Sequence, residues 1–388
     1  MNAKTLGILS SCRKADELRL PLHPDHLDRI DPALRARITL EEGYGERFGL
    51  TDEQLGPQVG RIASRREVLA GSDVILLPKP QAADLAELHE GQVLWGWPHC
   101  VQDRAVTQVA IDRRLTLIAF ESMHHWSSDG SFGLHVFHKN NELAGYCSVL
   151  HALQLAGSTG DYGRRLRAVV IGFGATARGA VTALNAHGVH DVHVLTSRSV
   201  AAVAAPIHSV TMAHFDQDDT APLSEVVVDG RRVPIAPYLG EHDIVVNCTL
   251  QDTDAPLTYL HDVDLGAFRP GSLLIDVSCD AGMGFSWARP TSFRSPTFEV
   301  GDHLRYYAVD HSPSYLWASA SWEISEALLP FMESVMAGPA GWAADETVRR
   351  AIEIRDGQVV NPRILSFQDR ASDYPYPPRP ADVAPMTA

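Results

Sequence analysis

The sequence of 388 residues lacks features that would place it in several large classes of protein. It contains no run of about 18 apolar residues, so we expect no membrane-spanning helix. Basic residues are scarce, with 33 Lys and Arg against 48 Asp and Glu, and the net charge of −15 argues against a nucleic acid or an anionic membrane as a partner. The hydrophobic content of 45% is nevertheless ample for a core.

Cysteine is also rare, and its five positions form no C-x-x-C pair. This pattern offers no zinc knuckle and fits a reducing compartment. The N-terminus is too short and polar for a signal sequence, so we predict a cytoplasmic protein. A histidine-rich stretch over residues 121–138 has no matching cysteine or carboxylate spacing, and we therefore predict no bound metal.

What the sequence does contain is a glycine turn between an apolar strand, residues 168–171, and a helix. In dinucleotide-binding folds the first glycine allows a tight turn, the second lets the backbone approach a pyrophosphate, and the helix N-terminus faces the anion. Ala177 and Gly179 are expected to keep the helix close to the sheet. The alternative is a glycine turn in an α/β domain that has lost its ligand. The predicted pyrophosphate residues are Gly172, Gly174, Ala175, Thr176 and Ala177.

The choice of nucleotide depends on the end of the second strand, residues 191–196. This strand ends on Thr196, without the Asp or Glu that holds the ribose of NAD. Ser197 and Arg198 follow, and a guanidinium can pair with a 2′-phosphate through two hydrogen bonds. We predict NADP(H) as the preferred cofactor and NAD(H) as the alternative, in which Arg198 would be a solvated loop residue.

Short strands alternate with helices before the glycine turn, and short β-rich runs follow it, a pattern typical of parallel sheets. We predict an α/β protein of two Rossmann-like domains with a cleft between them. The central domain, residues 143–305, would bind NAD(P). Residues 1–142 and 306–388 would form the substrate domain, with a helix over 343–354 and a flexible tail over 373–388.

Four polar residues follow predicted strands, namely Arg19, Lys79, His99 and Asp280. Ligands of open α/β sheets bind outside the carboxyl ends of strands, so we expect the four to meet in the cleft. A substrate that exchanges hydride with nicotinamide needs a proton donor such as His, and a carboxylate needs a cationic clamp. Taken singly, the two cations could be solvated, the histidine structural, and Asp280 a cap of its turn.

The segments that hold these residues resemble the alanine dehydrogenase family, which includes transhydrogenase, lysine-forming saccharopine dehydrogenase and carboxyethylornithine synthase. The likeness runs from residue 6 to about residue 330. It is carried by Arg19-Leu20-Pro21-Leu22, Lys79-Pro80, Trp97-Pro98-His99, Phe120-Glu121, Glu142-Leu143-Ala144-Gly145 and Asp276 to Gly282.

The resemblance implies roles for individual residues. The implied catalytic residues are His99, Lys79 and Asp280, and the implied substrate-binding residues are Arg19, Lys79, His99 and Glu121. Leu250 and His311 join the predicted cofactor-binding residues, although relatives carry Asn where His311 stands. By analogy with the family we also expect a homo-oligomer.

Within the family, the motifs are most similar to those of carboxyethylornithine synthases, as in Gly96-Trp97-Pro98-His99 and Asp280-Ala281-Gly282. The similarity implies an NAD(P)H-dependent oxidoreductase that reductively condenses an α-keto acid such as pyruvate with the amine of an amino acid such as ornithine or lysine. Two alternatives stay open. One is an amino-acid dehydrogenase that uses ammonia, or a saccharopine dehydrogenase-like enzyme. The other is a non-catalytic nucleotide-binding protein.

Overall fold

The computed structural model describes residues 3–197, 210–215, 225–228, 230–250 and 256–379. The chain divides into two compact units. The first unit is Met1–Phe137 with Trp317–Ala388, and the second unit is His138–Leu316. The junctions therefore fall after residues 137 and 316, whereas the sequence places them after 142 and 305.

The strands follow one another along the chain in three stretches. Residues 3–137 contain β1 (Leu6–Ile8), β2 (Ile38–Glu41), β3 (Arg61–Ala63), β4 (Val74–Leu76), β5 (Val93–Gly96), β6 (Thr116–Ala119), β7 (His124–Trp126) and β8 (Phe132–His135). The second unit contains β9 (Arg167–Ile171), β10 (Asp191–Thr196), β11 (Thr211–Phe215), β12 (Glu225–Val228), β13 (Arg231–Pro234), β14 (Ile244–Asn247), β15 (Thr258–Leu260), β16 (Ser272–Asp276), β17 (Gly284–Phe285), β18 (Thr297–Val300) and β19 (Leu304–Tyr307). The last stretch contains β20 (Ile352–Arg355) and β21 (Gln358–Val359).

The α-helices are mostly short. They are α1 (Pro32–Arg35), α2 (Asp52–Leu55), α3 (Arg65–Gly71), α4 (Ala82–Leu85), α5 (Arg104–Asp112), α6 (His138–Ala156), α7 (Ala175–Ala186), α8 (Ile235–Gly240), α9 (Trp317–Leu328), α10 (Met332–Met336), α11 (Pro339–Ala344), α12 (Glu346–Arg350) and α13 (Pro362–Phe367). Among the described residues, no helix is both long and apolar enough to span a membrane.

The first unit is built on an eight-stranded sheet in the order β21-β20-β6-β5-β4-β1-β2-β3. Its six N-terminal strands are parallel, and their order is the 3-2-1-4-5-6 arrangement of dinucleotide-binding folds. Strands β20 and β21 extend the sheet in antiparallel fashion beyond β6. Successive strands are added on one side of β1 up to β3 and on its other side from β4, and such sheets bind ligands at this switch between β1 and β4.

The second unit repeats this arrangement in a nine-stranded sheet, β13-β12-β11-β10-β9-β14-β16-β19-β18. The six strands from β11 to β19 are parallel in the same order, and the outer strands β12, β13 and β18 are antiparallel. Successive residues of β9 point to opposite faces, and apolar clusters cover both faces. The predicted α/β class with two Rossmann-like units is confirmed.

One element prediction in the last stretch of the chain is wrong. The helix predicted over 343–354 stops at Arg350, and Ile352 to Arg355 form a strand, because alternate residues of this segment can pair with the open edge of β6. In the tail predicted from residue 373, residues 373–375 and 377–379 are exposed, and Tyr376 is buried. Arg370 donates to the carbonyl of Tyr376, which is 7% exposed. Residues 380–388 lie outside the described residues.

Candidate active site and dinucleotide site

Four residues predicted to hold substrate follow four adjacent strands of the first unit. Arg19 comes after β1, Lys79 after β4, His99 after β5 and Glu121 after β6. Because β1, β4, β5 and β6 are parallel neighbours, their carboxyl ends lie at one edge of the sheet. The sheet thus carries two cations, an imidazole and a carboxyl group to the edge at which open α/β sheets bind ligands.

The side chains of Lys79 and His99 are in direct contact. Lys79 Nζ lies 2.9 Å from His99 Nε2, and both residues are partly exposed. At this distance an ammonium can donate to an imidazole nitrogen, and both types of group can transfer protons in catalysis. The pair is therefore a candidate for proton transfer.

The backbone of His99 is held in an unusual conformation. Its φ angle is 48°, in the left-handed region that a residue with a Cβ seldom adopts. Its N–H donates to Glu121 Oε1 at 2.7 Å, and its carbonyl accepts from the N–H groups of Gln102 and Asp103 at 3.1 and 2.9 Å. Such a conformation persists only where surrounding contacts fix it, and these three bonds fix the direction in which the imidazole points.

Glu121 contacts the backbone of His99, whereas the sequence predicts that it binds substrate directly. The residue is partly exposed, but its Oε2 is buried and has no hydrogen-bond partner among the described residues. Burial, with a contribution from Glu353, raises the pKa of Glu121 to about 8 against the opposing effect of the His99 N–H and Lys79. The carboxyl group therefore lies behind the histidine and is largely protonated at neutral pH.

Glu353, on β20, is a buried carboxyl group that the sequence analysis missed. It is 4% exposed, accepts from the hydroxyl of Ser122, and accepts at Oε2 from Asn361 Nδ2 at 2.6 Å. Burial raises its pKa. The signal was hidden because the segment around it was predicted to be helical, and a helix would not have brought this residue beside β6.

Arg19 is oriented by a second acid that the sequence analysis did not single out, Glu17. Arg19 Nε and Nη2 donate to the two oxygens of Glu17 at 2.7 and 2.5 Å, and both side chains are almost fully buried. The guanidinium carbon also lies 5.2 Å from the ring centroid of Trp97, two residues before His99. Glu17 and Trp97 therefore fix the plane of a guanidinium that can bind a carboxylate through two parallel bonds.

The histidine-rich stretch forms a hairpin of β7 and β8. The rings of His124 and His135 lie 4.6 Å apart, and burial lowers the pKa of His124 to about 4, so that this imidazole is neutral. The ring of His135 lies 5.9 Å from that of Phe137, which in turn contacts Trp97 at 5.0 Å. Within the described part of the chain no group of three or more His, Cys, Asp or Glu could hold a metal ion.

In the second unit, the predicted glycine turn leads from β9 into α7. Gly172 has a φ of 117°, and a Cβ there would lie 3.0 Å from the carbonyl oxygen of Cys248. Gly174 is the N-cap of α7 without any side-chain cap, and a Cβ there would meet no described atom within 4 Å. The first N–H groups of this 12-residue helix therefore lie beside open space, as anion binding at a helix N-terminus demands.

Gly179 has a different role from the predicted one. A Cβ on Gly179 would lie 1.8 Å from the carbonyl oxygen of Glu142, and a Cβ on Gly145 would lie 2.0 Å from that of Thr176. These glycines allow α6 and α7 to pack backbone against backbone. Ala177 is fully buried in the apolar cluster between α7 and the sheet, as the sequence predicts.

The edge of the predicted ribose site is only partly described. Thr196 ends β10 with 3% of its surface exposed, and Ser197 after it is exposed. Arg198, which we predict to bind a 2′-phosphate, lies outside the described residues. Leu250, three residues after β14, is 94% exposed.

A buried polar network lies at the carboxyl ends of β14, β16 and β19. Asp276 accepts from Asn247 Nδ2 at 2.9 Å, from the hydroxyl of Tyr306 at 2.5 Å and from the N–H of Cys279 at 3.0 Å. Burial raises the pKa of Asp276 to about 6 in spite of these bonds. The network fixes the turn that carries Asp280, which is partly exposed and belongs to this unit, whereas Arg19, Lys79 and His99 belong to the first.

His311 lies beyond β19 and is 2% exposed. Its Nδ1 is 2.7 Å from Asp310 Oδ1, and its ring packs against that of Phe293. Its Nε2 is buried without a hydrogen-bond partner among the residues that the structure describes. A buried nitrogen of this kind is costly unless a ligand supplies a partner, which fits the predicted place of His311 beside the cofactor.

Comparison with protein families accounts for both units. The model of the alanine dehydrogenase/PNT N-terminal domain matches residues 7–143, and that of the alanine dehydrogenase/PNT C-terminal domain matches residues 159–362.

Among curated proteins, the chain is 24% identical over 352 residues to the alanine dehydrogenase of Mycobacterium tuberculosis, covering 85% of this chain and 88% of the relative. It is 25% identical over 323 residues to the N(5)-(carboxyethyl)ornithine synthase of Lactococcus lactis subsp. lactis, covering 80% and 90%.

Solved structures show the same fold. An L-alanine dehydrogenase superposes with a TM-score of 0.72 at 18% identity, over 94% of this chain and 98% of that one. A transhydrogenase from Sinorhizobium meliloti gives 0.66 at 19% identity, over 92% and 99%. The family models, the relatives and the two sheets agree, and the resemblance seen in the sequence is confirmed: this chain belongs to the alanine dehydrogenase/PNT family and is an NAD(P)-dependent oxidoreductase.

Proposed function

We propose that this oxidoreductase joins an α-keto acid to the amine of an amino acid and reduces the product to a secondary amine. The observation that carries the proposal is the contact of Lys79 Nζ with His99 Nε2 at 2.9 Å, on the sheet edge that also carries Arg19. Reduction of a carbonyl or an imine requires one hydride and one proton, and this pair can deliver the proton. The nicotinamide, when bound, supplies the hydride.

Each of the four candidate residues of the first unit has a distinct task in this reaction. Arg19, with its plane set by Glu17, binds the carboxylate of the keto acid. Lys79 donates to the carbonyl oxygen, which leaves as water when the amine condenses to an imine. His99 passes a proton to the nitrogen as hydride reaches the imine carbon, so that the C=N double bond becomes a C–N single bond. Glu121 keeps His99 in place through its backbone N–H.

The second unit supplies the cofactor site in this proposal. The N–H groups at the start of α7 bind the pyrophosphate, and Gly174 leaves room for its approach. Asp280 acts at the nicotinamide, and His311 accepts or donates a hydrogen bond through Nε2. NADP(H) is preferred, because Thr196 stands where NAD-specific folds carry an acid. Assembly as a homo-oligomer is also proposed.

The alternative within the same family is an amino-acid dehydrogenase that takes ammonia as its amine. Arg19, Lys79 and His99 would serve both reactions, because both reduce an imine of a keto acid. We favour the condensation with an amino acid because the motifs around His99 and Asp280 are similar to those of carboxyethylornithine synthases, and one such enzyme is 25% identical to this chain.

The test is a panel of keto acids and amines with NADPH and, separately, NADH. Consumption of NADPH with pyruvate plus ornithine or lysine, but not with pyruvate plus ammonium, is the expected result, and mass spectrometry of the product should show the secondary amine. Consumption with ammonium alone, with alanine as the product, would replace the proposal by the dehydrogenase. If no pair of keto acid and amine leads to consumption of NADPH or NADH, both the condensation and the dehydrogenase function are refuted.

A further inference from the structure

The C-terminal segment 368–379, here called the strap, bonds to the backbone turn that follows His99. Gln368 is fully buried, and its Nε2 donates to the carbonyls of Cys100 and Val101 at 2.7 and 3.2 Å. The same nitrogen lies 3.2 Å from Thr107 Oγ1, which itself donates to Cys100. One amide group from the end of the chain therefore satisfies the carbonyls of the two residues directly after the histidine.

The strap is itself fixed by a second buried side chain. Arg370 is 3% exposed, and its Nε donates to Gln368 Oε1 at 2.7 Å. Its Nη1 donates to Gln108 Oε1 at 2.8 Å, on α5, and to the carbonyl of Tyr376 at 3.0 Å. Arg370 thus sets the orientation of the Gln368 amide, so that its oxygen accepts from the guanidinium and its nitrogen points to the turn.

The turn needs such support because His99 adopts a left-handed conformation. Glu121 accepts from the N–H of His99, and the N–H groups of Gln102 and Asp103 donate to the His99 carbonyl. The first of these bonds is made to His99 itself, and the other two are made within the turn. Gln368 adds a side-chain donor that reaches the turn from the last stretch of the described chain. The strap also lies beyond residue 362, where the match to the family model ends.

We propose that the strap sets the position of the His99 imidazole, and that Gln368 is a positioning residue for the proton transfer. The inference deepens the proposed function and rests on it. An error of about 1 Å in the place of a catalytic group can cost roughly 100-fold in rate, so loss of two hydrogen bonds at this turn is sufficient to slow the chemistry.

Two variants separate positioning from folding. Gln368→Glu keeps an oxygen for Arg370 Nε but removes the donor and turns an acceptor toward two carbonyls. Gln368→Met keeps the length of the side chain without either bond. Ser366→Ala is the matched control, because Ser366 is exposed on α13 and its hydroxyl bonds within that helix, to the carbonyl of Arg363.

We expect kcat to fall roughly 10- to 100-fold in both Gln368 variants, with the Kd of the dinucleotide and the cooperative thermal transition kept. We also expect faster hydrogen exchange of the amides of Gln102 and Asp103, which bond to the His99 carbonyl. The control should match the wild type in every measurement. Unchanged exchange, or faster exchange with unchanged kcat, would overturn the inference. A wild-type protein without activity on any substrate pair would instead refute the proposed function, while the exchange rates would still decide whether the strap fixes the turn.

Discussion

At the scale of single residues, the candidate site depends on charged groups whose partners fix their orientation. Arg19 is held by Glu17 through two bonds and lies against Trp97, so the proposed function depends on the orientation of its guanidinium as well as on its charge. Sequence analysis found Arg19 from its place after the first predicted strand and from the family motif. It missed Glu17, because an acid two residues before a cation has no pattern that distinguishes a buried pair from two solvated charges.

Replacement of Arg19 by Lys tests this orientation. Arg19→Lys keeps the positive charge but loses the planar fork, so we expect the KM of the keto acid to rise roughly 10- to 100-fold with a smaller change in kcat. Initial rates over a range of keto-acid concentrations measure the effect. Arg47→Lys is the control, since Arg47 is exposed and donates to the backbone carbonyl of Leu18. An unchanged KM in Arg19→Lys would show that the carboxylate binds elsewhere.

The raised pKa of Glu121 predicts how the free energy of unfolding depends on pH. Burial raises its pKa from 4.5 to about 8, so the folded protein keeps a proton that the unfolded chain has lost. Unfolding between these pH values releases this proton, and the free energy of unfolding therefore falls as the pH rises through the window. Glu121→Gln has no charge to bury, so its stability relative to the wild type should increase from pH 5 to pH 8.

Urea unfolding of both proteins at several pH values measures this difference. Glu42→Gln is the control, because Glu42 is exposed and, like Glu121, comes shortly after the end of a strand. If the wild type and Glu121→Gln keep a constant difference in free energy of unfolding across the window, the carboxyl group of Glu121 is ionised in the folded protein and the assigned protonation is wrong.

At the scale of elements, two glycines of α7 and its turn have opposite tasks. Gly174 faces open space, and Gly179 packs against the backbone of Glu142. Gly174→Ala should fold normally and weaken dinucleotide binding at least about 10-fold, which equals about 1.4 kcal/mol, because the methyl group occupies the approach of the pyrophosphate. Gly179→Ala should instead destabilise the protein by about 1–3 kcal/mol, since the helices must move apart.

Dinucleotide titration by fluorescence and thermal unfolding separate the two effects. The account expects each substitution to change one quantity far more than the other. Equal dinucleotide affinity in the wild type and Gly174→Ala would remove the pyrophosphate from this turn, and an undiminished stability in Gly179→Ala would contradict the close packing of α6 and α7.

The elements that sequence analysis predicted well are those whose pattern is local. The apolar run of β9, the glycines and the start of α7 follow one another directly, and the strand order then follows from the repeated β-α units. The strand β20 was not predictable in this way. Ile352 to Arg355 become a strand because β6 offers a free edge, a tertiary contact that no local pattern contains. Glu353 and Gln368 were missed for the same reason.

At the scale of the whole molecule, the two units share a strand order but differ in the residues that follow their strands. In each sheet the strand order switches sides between the first and the fourth parallel strand. Each sheet also carries polar groups at the carboxyl ends of its strands. In the proposed function, the glycine turn makes the second unit the dinucleotide site. The first unit has Arg19, Lys79 and His99 instead, and the proposed function therefore places the substrate there. The family was therefore predictable from motifs, whereas the amine that the enzyme accepts depends on pocket details that motifs do not encode.

The most direct test of the account is the single-turnover rate of reduced-nucleotide oxidation in His99→Asn compared with the wild type, at saturating NADPH, keto acid and amine. Asparagine retains a polar side chain but cannot carry the proton that the proposed function assigns to His99. The account predicts a rate lower by about 10²–10⁴ with an unchanged Kd for NADPH, because the dinucleotide binds the second unit. A wild-type rate in His99→Asn would contradict it.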